Sequence, residues 1–206
     1  MKKLLILLFS FFLLSSHSVF ADDISDFQIE GISIGDSLLD YMTEDEILEE
    51  IDNSERYYYL NEPNKFAEIY LKQGFSLYDN ISVFISTEPS SQYLTNKNEK
   101  FIIVSVRGII AYNEEFDSCI IQRDKIIKDL SKMFPNSTKT ENIFSHSADP
   151  SGDSIVDYVD YELDSGASIY INCQDFEEVL RARKKWSDSL NIVTQTKEVS
   201  DWFETD

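Results

Sequence analysis

Cys119, Cys173 and His146 are the residues whose chemistry is scarce enough in this sequence to single out, since the other histidine, His17, lies near the N-terminus. The spacing of the cysteines excludes a C-x-x-C redox pair. An even cysteine count predicts one disulfide in an oxidising compartment, with two buried free thiols as the alternative. His146 sits in the polar stretch Phe144-Ser145-His146-Ser147. A serine hydrolase would need it as base, but no Gly-x-Ser-x-Gly elbow accompanies it. It therefore reads as an exposed loop histidine. A zinc site needs several His or Cys ligands, which the chain cannot supply if its cysteines pair.

Carboxylates are the abundant reactive groups, 38 Asp and Glu against 18 Lys and Arg. Two of them could flank a glycosidic bond, but nothing in the spacing singles out a pair. The run Asp157, Asp160, Glu162, Asp164 and the loop Asp149-Pro150-Ser151-Gly152-Asp153 are candidate calcium surfaces. Neither fits the twelve-residue loop with Gly at six and Glu at twelve, so both read as solvated acidic faces. Tyr57-Tyr58-Tyr59, Tyr70 and Tyr93 invite a carbohydrate- or peptide-binding role. Consecutive strand residues point to opposite faces, however, so sheet packing is the better reading. A phosphate-cradling Gly-rich loop is absent. The residues thus predict no catalytic set, metal site or cofactor.

The first residues carry a different kind of information. Lys2 and Lys3 precede an apolar run from Leu4 to Leu14 broken only by Ser10, and Ser15 to Ala21 ends in Val19-Phe20-Ala21. That order is the layout of a cleavable signal peptide over residues 1–21, and the apolar run is short of a bilayer span. The expected product is a periplasmic or secreted protein beginning at Asp22, with no membrane insertion after cleavage. Losing the two leader lysines takes the formal charge from −20 to −22. Phosphate backbones and anionic lipid surfaces would be repelled, which excludes nucleic acid and peripheral membrane roles and leaves cationic partners.

A hydrophobic fraction of 42%, with 13% aromatics, predicts a packed globule over residues 22–206 as a single domain. Leu38 and Leu39 are expected to face inward from a helical turn at Ser37 to Tyr41. Thr43-Glu44-Asp45-Glu46 has the form of a capping box opening a helix with Ile47, Leu48 and Ile51 at helical spacing. Strands are expected at Tyr57–Leu60, Phe66–Leu71, Ile81–Ile85 and Phe101–Tyr112. The last is apolar on both faces, with Ile102, Val104, Val106 and Ile110 on one side and Ile103 and Ile109 on the other, and reads as a central strand. Between two of these strands lies a long polar loop from Thr87 to Lys100. Residues 114–134 form an amphipathic helix, with Phe116, Ile120, Ile127, Leu130 and Phe134 along one stripe and Cys119 beside it. Asn142 to Ser154 reads as turn. A strand from Ile155 turns at Asp164-Ser165-Gly166 and returns through Ile169, Ile171 and Cys173. A short helix at Phe176–Trp186, a strand at Leu190–Thr194 and a last helical turn at Val199–Phe203 complete the chain. Strands in runs predict an α+β fold, an antiparallel sheet of about five to seven strands with two main helices packed on it.

The opening Ile29-Glu30-Gly31-Ile32-Ser33-Ile34-Gly35-Asp36-Ser37, followed by the capped helix and the cysteine-bearing helix, resembles a group of uncharacterised exported bacterial proteins that begin I-x-G-I-x-I-G-x-S. The resemblance implies an exported α+β domain and carries no activity. The sequence reads best as a non-catalytic interaction or binding module whose partner is an envelope protein or a cationic ligand. The alternative is a small carboxylate-dependent hydrolase with two acids facing across a cleft.

Overall fold

A computed structural model describes residues 23–52, 66–72, 74–86, 100–113 and 115–204. The expected leader, the expected strand at Tyr57–Leu60 and all but Lys100 of the expected loop from Thr87 lie outside the described residues.

The N-terminal arm is held by backbone pairing. Ile29 and Ile32 exchange hydrogen bonds of 3.0–3.1 Å, and Gly35 N–H donates to the Ile103 carbonyl at 2.9 Å. A 3-10 turn, Leu38–Asp40, follows. Its Leu38 is fully buried, but Leu39 is 40% exposed, contrary to the inward placement expected for both. In a turn this short, adjacent side chains diverge. Helix α1 (Glu44–Asp52) opens on the expected capping box: Thr43 N–H donates to Glu46 Oε2 at 2.9 Å and Glu46 N–H to Thr43 Oγ1 at 3.4 Å.

The fold is α+β around one antiparallel seven-stranded sheet. Its strands are β1 (Phe66–Tyr70), β2 (Asn80–Ser86), β3 (Ile103–Asn113), β4 (Thr138–Ser145), β5 (Ile155–Glu162), β6 (Ser168–Asp175) and β7 (Asp188–Gln195). The spatial order is β1-β2-β3-β7-β6-β5-β4, so the last strand to be synthesised is inserted at the centre between β3 and β6. All eight residues of β7 are buried. The β5–β6 hairpin turns where expected, with Gly166 at φ +79° donating to the Leu163 carbonyl at 2.8 Å.

The two strand blocks β1-β2-β3 and β6-β5-β4 suggest a duplicated unit, but their geometry is that of mirror images. Both β3 and β6 run antiparallel to β7 and hence parallel to each other. A rotation that exchanged the blocks while keeping strand direction would carry the covering helices to opposite faces. Instead α1 packs on β1, and α2 (Phe116–Met133) packs on β6, β7 and β3, with their buried side chains in one shared core.

That core lies on the first sheet face. Ile69, Val83, Val106, Ile171 and Ile192 point into it, and Cys119, Leu130 and Phe134 come down from the expected helical stripe. Cys119 and Cys173 form the expected disulfide, with Cα atoms 6.0 Å apart, tying α2 to β6. Gly108 is required here, because a Cβ at this position would stand 2.5 Å from the Tyr78 ring. No helix of the described residues is long and apolar enough to cross a membrane.

Two further expectations need correction. Asn142–Ser154 is not turn throughout, because β4 extends to Ser145. All eight residues of β4 are exposed on an edge strand, so no apolar alternation marks it. The face assignment along Phe101–Tyr112 also fails. A register shift between Phe84 and Ile85 leaves Val104 as an extra residue, so Ile103 joins the Val106 face and Val104 turns to the second face.

Candidate functional site

The second sheet face is polar, although it lies in the middle of the molecule. Strand alternation brings Glu68 of β1, Ser82 of β2, Ser105 of β3, Ser189, Asn191 and Gln195 of β7, and Ser168 and Asn172 of β6 onto it, all at most 8% exposed. The short helix α3 (Glu178–Lys184) follows β6, and part of the second face is covered by α4 (Lys197–Glu204), whose Val199 and Trp202 pack on Phe66 and Val104. The Phe66 and Trp202 rings meet edge-on at 5.7 Å.

One row of register partners crosses all seven strands: Tyr70, Ser82, Arg107, Val193, Tyr170, Asp160 and Thr140. Arg107 organises its first half. It donates to Glu68 Oε1 at 2.7 Å, to the Tyr70 hydroxyl at 2.8 Å and to Ser82 Oγ at 3.1 Å. In the second half Tyr170 stands 5.4 Å from the Tyr158 ring. Burial pushes the Tyr170 hydroxyl up to about 12, opposed by the Arg107 charge and assisted by Glu68 and Asp160. The Tyr158 hydroxyl is raised further, by burial first and then by Asp160. Burial holds the Asp160 carboxyl up at about 6, partly offset by the Tyr158 hydroxyl. Asp160 is therefore no part of a solvated face, as its sequence context suggested. Glu162 and Asp164 are exposed, as expected, and Asp157 lies on the first face, paired with Arg123.

Between α4 and the end of β4 this face opens into a groove of about 370 Å³. Rings of Phe144, Tyr158, Tyr170 and Phe203 and amides of Asn172, Gln174 and Gln195 line it. Residues 145–147 close one end. His146 is half-buried rather than exposed, its ring 5.1 Å from Phe176 and 5.7 Å from Trp186. Its Nδ1 accepts from Ala148 N–H at 3.1 Å, which places the proton of the neutral ring on Nε2. Burial lowers its pKa, opposed by Asp149, so the neutral ring dominates at neutral pH. No Gly-x-Ser-x-Gly turn accompanies it.

The Asp149 loop is folded on itself. One carboxylate oxygen accepts from Ser151 N–H at 2.9 Å and Ser151 Oγ at 2.7 Å, the other from Ser154 N–H at 2.8 Å, and these donors hold its pKa well below the usual range. Among the described residues no three His, Cys, Asp or Glu side chains are grouped to hold a metal. No protein-family model matches the chain, and no curated protein or solved structure is detectably similar to it.

Of the residues read from the sequence, Cys119 and Cys173 are joined, Tyr70 falls in the Arg107 network and His146 rims the groove. The groove's own lining, Tyr158, Tyr170, Asn172, Gln174 and Gln195, was not singled out. Its signal was present in the alternation Ser168, Tyr170, Asn172, Gln174 beside Ser189, Asn191, Gln195, two strands with one apolar and one polar face. Only their central position makes that polarity unusual.

Proposed function

We propose that this protein is a non-catalytic binding module, exported to the periplasm or the medium, that takes its ligand in the groove of the second sheet face. One observation carries the reading: a concave surface combines four aromatic rings with three amides. The disulfide agrees with export, since such bonds persist in oxidising compartments. So does the leader-like order of residues 1–21.

One observation favours the alternative, a small carboxylate-dependent hydrolase. Asp160 titrates at about 6, where a general acid would be poised. Glu162, two residues along the same strand and face, projects beside it rather than across a cleft. Neither carboxylate lines the groove.

The test begins with protein recovered after export, whose N-terminal sequence is expected to read Asp22-Asp23-Ile24. Tyrosine and tryptophan fluorescence then follows titration with amines, saccharides and short peptides, and mass spectrometry follows each ligand for chemical change. Saturable binding without conversion supports the module. Conversion that is lost in Asp160→Asn establishes the hydrolase instead, and retention of Met1 on a membrane-bound chain overturns export.

A further inference from the structure

The groove has apolar walls and a polar floor. Phe144, at the end of β4, and Phe203, on α4, flank it, and they are 45% and 46% exposed. Between them lie the amides of Asn172 and Gln174 on β6 and of Gln195 on β7. Gln195 Nε2 donates to Ser200 Oγ at 2.8 Å, which leaves its carbonyl oxygen for a ligand. The Gln174 amide is half-buried and makes no hydrogen bond among the described residues.

The lining also selects by charge. No Asp, Glu, Lys or Arg lines the groove, and burial keeps the His146 ring neutral at neutral pH. A charged ligand would give up water and meet no counter-charge, so the occupant is neutral. The acidic composition points to a cationic ligand, but net charge acts at long range and the lining acts on contact. A wholly apolar occupant would leave the amides without partners. A flat heterocycle calls for parallel ring faces, whereas Phe144 and Tyr158 are inclined at 57° and Tyr158 and Tyr170 at 37°. What fits is a puckered ring with C–H groups on its faces and both donors and acceptors around its edge.

We propose that the groove binds a neutral saccharide of mono- or disaccharide size, its C–H faces against Phe144 and Phe203 and its hydroxyls at the Asn172, Gln174 and Gln195 amides. This rests on the binding-module reading and names the ligand class. Hydroxyls donate and accept, and so do side-chain amides, so each satisfies the other in either orientation. Contact with the sugar faces removes two half-exposed phenyl rings from water. The volume, about 370 Å³, sits at the small end of ligand sites and sets the size limit.

Titration of the exported protein with cellobiose and with diacetylchitobiose, followed by ligand-observed NMR, tests this. Both disaccharides carry equatorial hydroxyls, so their ring faces present C–H groups. Saturable one-to-one binding of at least one is expected, with its face C–H protons shifted upfield by the aromatic rings. Phe144→Ala and Phe203→Ala are each expected to weaken binding by about tenfold. Gln174→Leu, which keeps bulk and removes the amide, should weaken it by a similar factor. Ile143→Ala is the control, since Ile143 is 66% exposed on the same strand, does not line the groove and points to the opposite face. It should leave binding unchanged, and equal weakening by Ile143→Ala and Phe144→Ala overturns the site. If neither disaccharide binds but a neutral blocked dipeptide, N-acetylalanylalanine amide, does, the saccharide assignment fails while the binding module stands. If none of the three binds, both fail. If a bound disaccharide is hydrolysed, the module fails while the site stands.

Discussion

Asp160 makes the stability of the second face depend on pH. Its carboxyl titrates at about 6 in the folded chain, against 3.8 for the free side chain, because burial opposes its charge. A pKa raised by folding means that the fold favours the protonated acid. The contribution is fully present below about pH 4 and is lost as pH rises through about 6. Asp160→Asn is therefore expected to stabilise the protein at neutral pH and to be neutral in acid. With partial solvent screening taken into account, the gain is about 1–2 kcal/mol at pH 7.5 and near zero at pH 3.5. Urea denaturation at the two pH values checks this, and an equal gain at both would show that shape rather than ionisation is responsible. Arg107 differs in that its charge is met on site by Glu68, whose side chain is 1% exposed. Removing Arg107 would strand the buried Glu68 charge, whereas the Arg107 side chain, 32% exposed, can still reach water.

At the scale of elements, the link between α2 and β6 is covalent as well as apolar. The Cys119–Cys173 crosslink closes a separation of 54 residues. By the chain-entropy argument a loop of that length restricts the unfolded ensemble by about 4 kcal/mol. The Cys119→Ala, Cys173→Ala double variant is expected to keep the fold and lose about 2–4 kcal/mol in guanidinium denaturation. A loss of less than about 1 kcal/mol would mean that the unfolded chain is already compact across this span. A second tie runs beside the first: the Tyr161 hydroxyl donates to the Ile127 carbonyl at 3.0 Å and lies 2.8 Å from Ser131 Oγ. These contacts hold β5 and β6 under one helix, and β5 and β6 carry the groove residues Tyr158, Tyr170 and Asn172. The rigidity of the groove floor thus comes from the opposite face of the sheet. At the outer edge, β4 carries Lys139 and Glu141, and Asn142 Oδ1 accepts from Ile143 N–H at 2.9 Å. Charge and a self-satisfied amide blunt this edge against pairing with another chain.

For the whole molecule the excess of acid is the dominant long-range term. A formal charge of −20 repels itself in the compact state, and salt screens that repulsion beyond about 10 Å at 0.1 M. The melting temperature is expected to rise with added NaCl and then level off. Calcium at matched ionic strength should give no further saturable gain, since the Asp149 carboxylate is already occupied by Ser151 and Ser154 donors. A sharp stabilisation by micromolar calcium that NaCl does not reproduce would identify a metal site after all.

Much of the fold was legible because its signals are local. The Thr43–Glu46 box, the Phe116 to Phe134 stripe and the Ile155 to Cys173 hairpin each announce an element through spacing that a few residues suffice to display. The cysteine pairing was legible because two cysteines allow only one intramolecular bond. Strand β4 was not legible, since an edge strand exposed on every residue has no burial to imprint a period on it. The Val104 face was misplaced because a bulge breaks alternation without altering composition. The second face lay furthest from view. Glu68, Arg107, Tyr170, Asp160 and Gln195 meet only because the last strand, β7, inserts between β3 and β6, and that insertion is set by pairing between segments far apart in the chain. The sequence by itself determined most element types, though not that of β4, together with the disulfide and the acidity, which depend on residues near one another or on totals. Tertiary structure alone decided that a polar strand face becomes an interior groove, because burial belongs to the order of strands and not to any one of them.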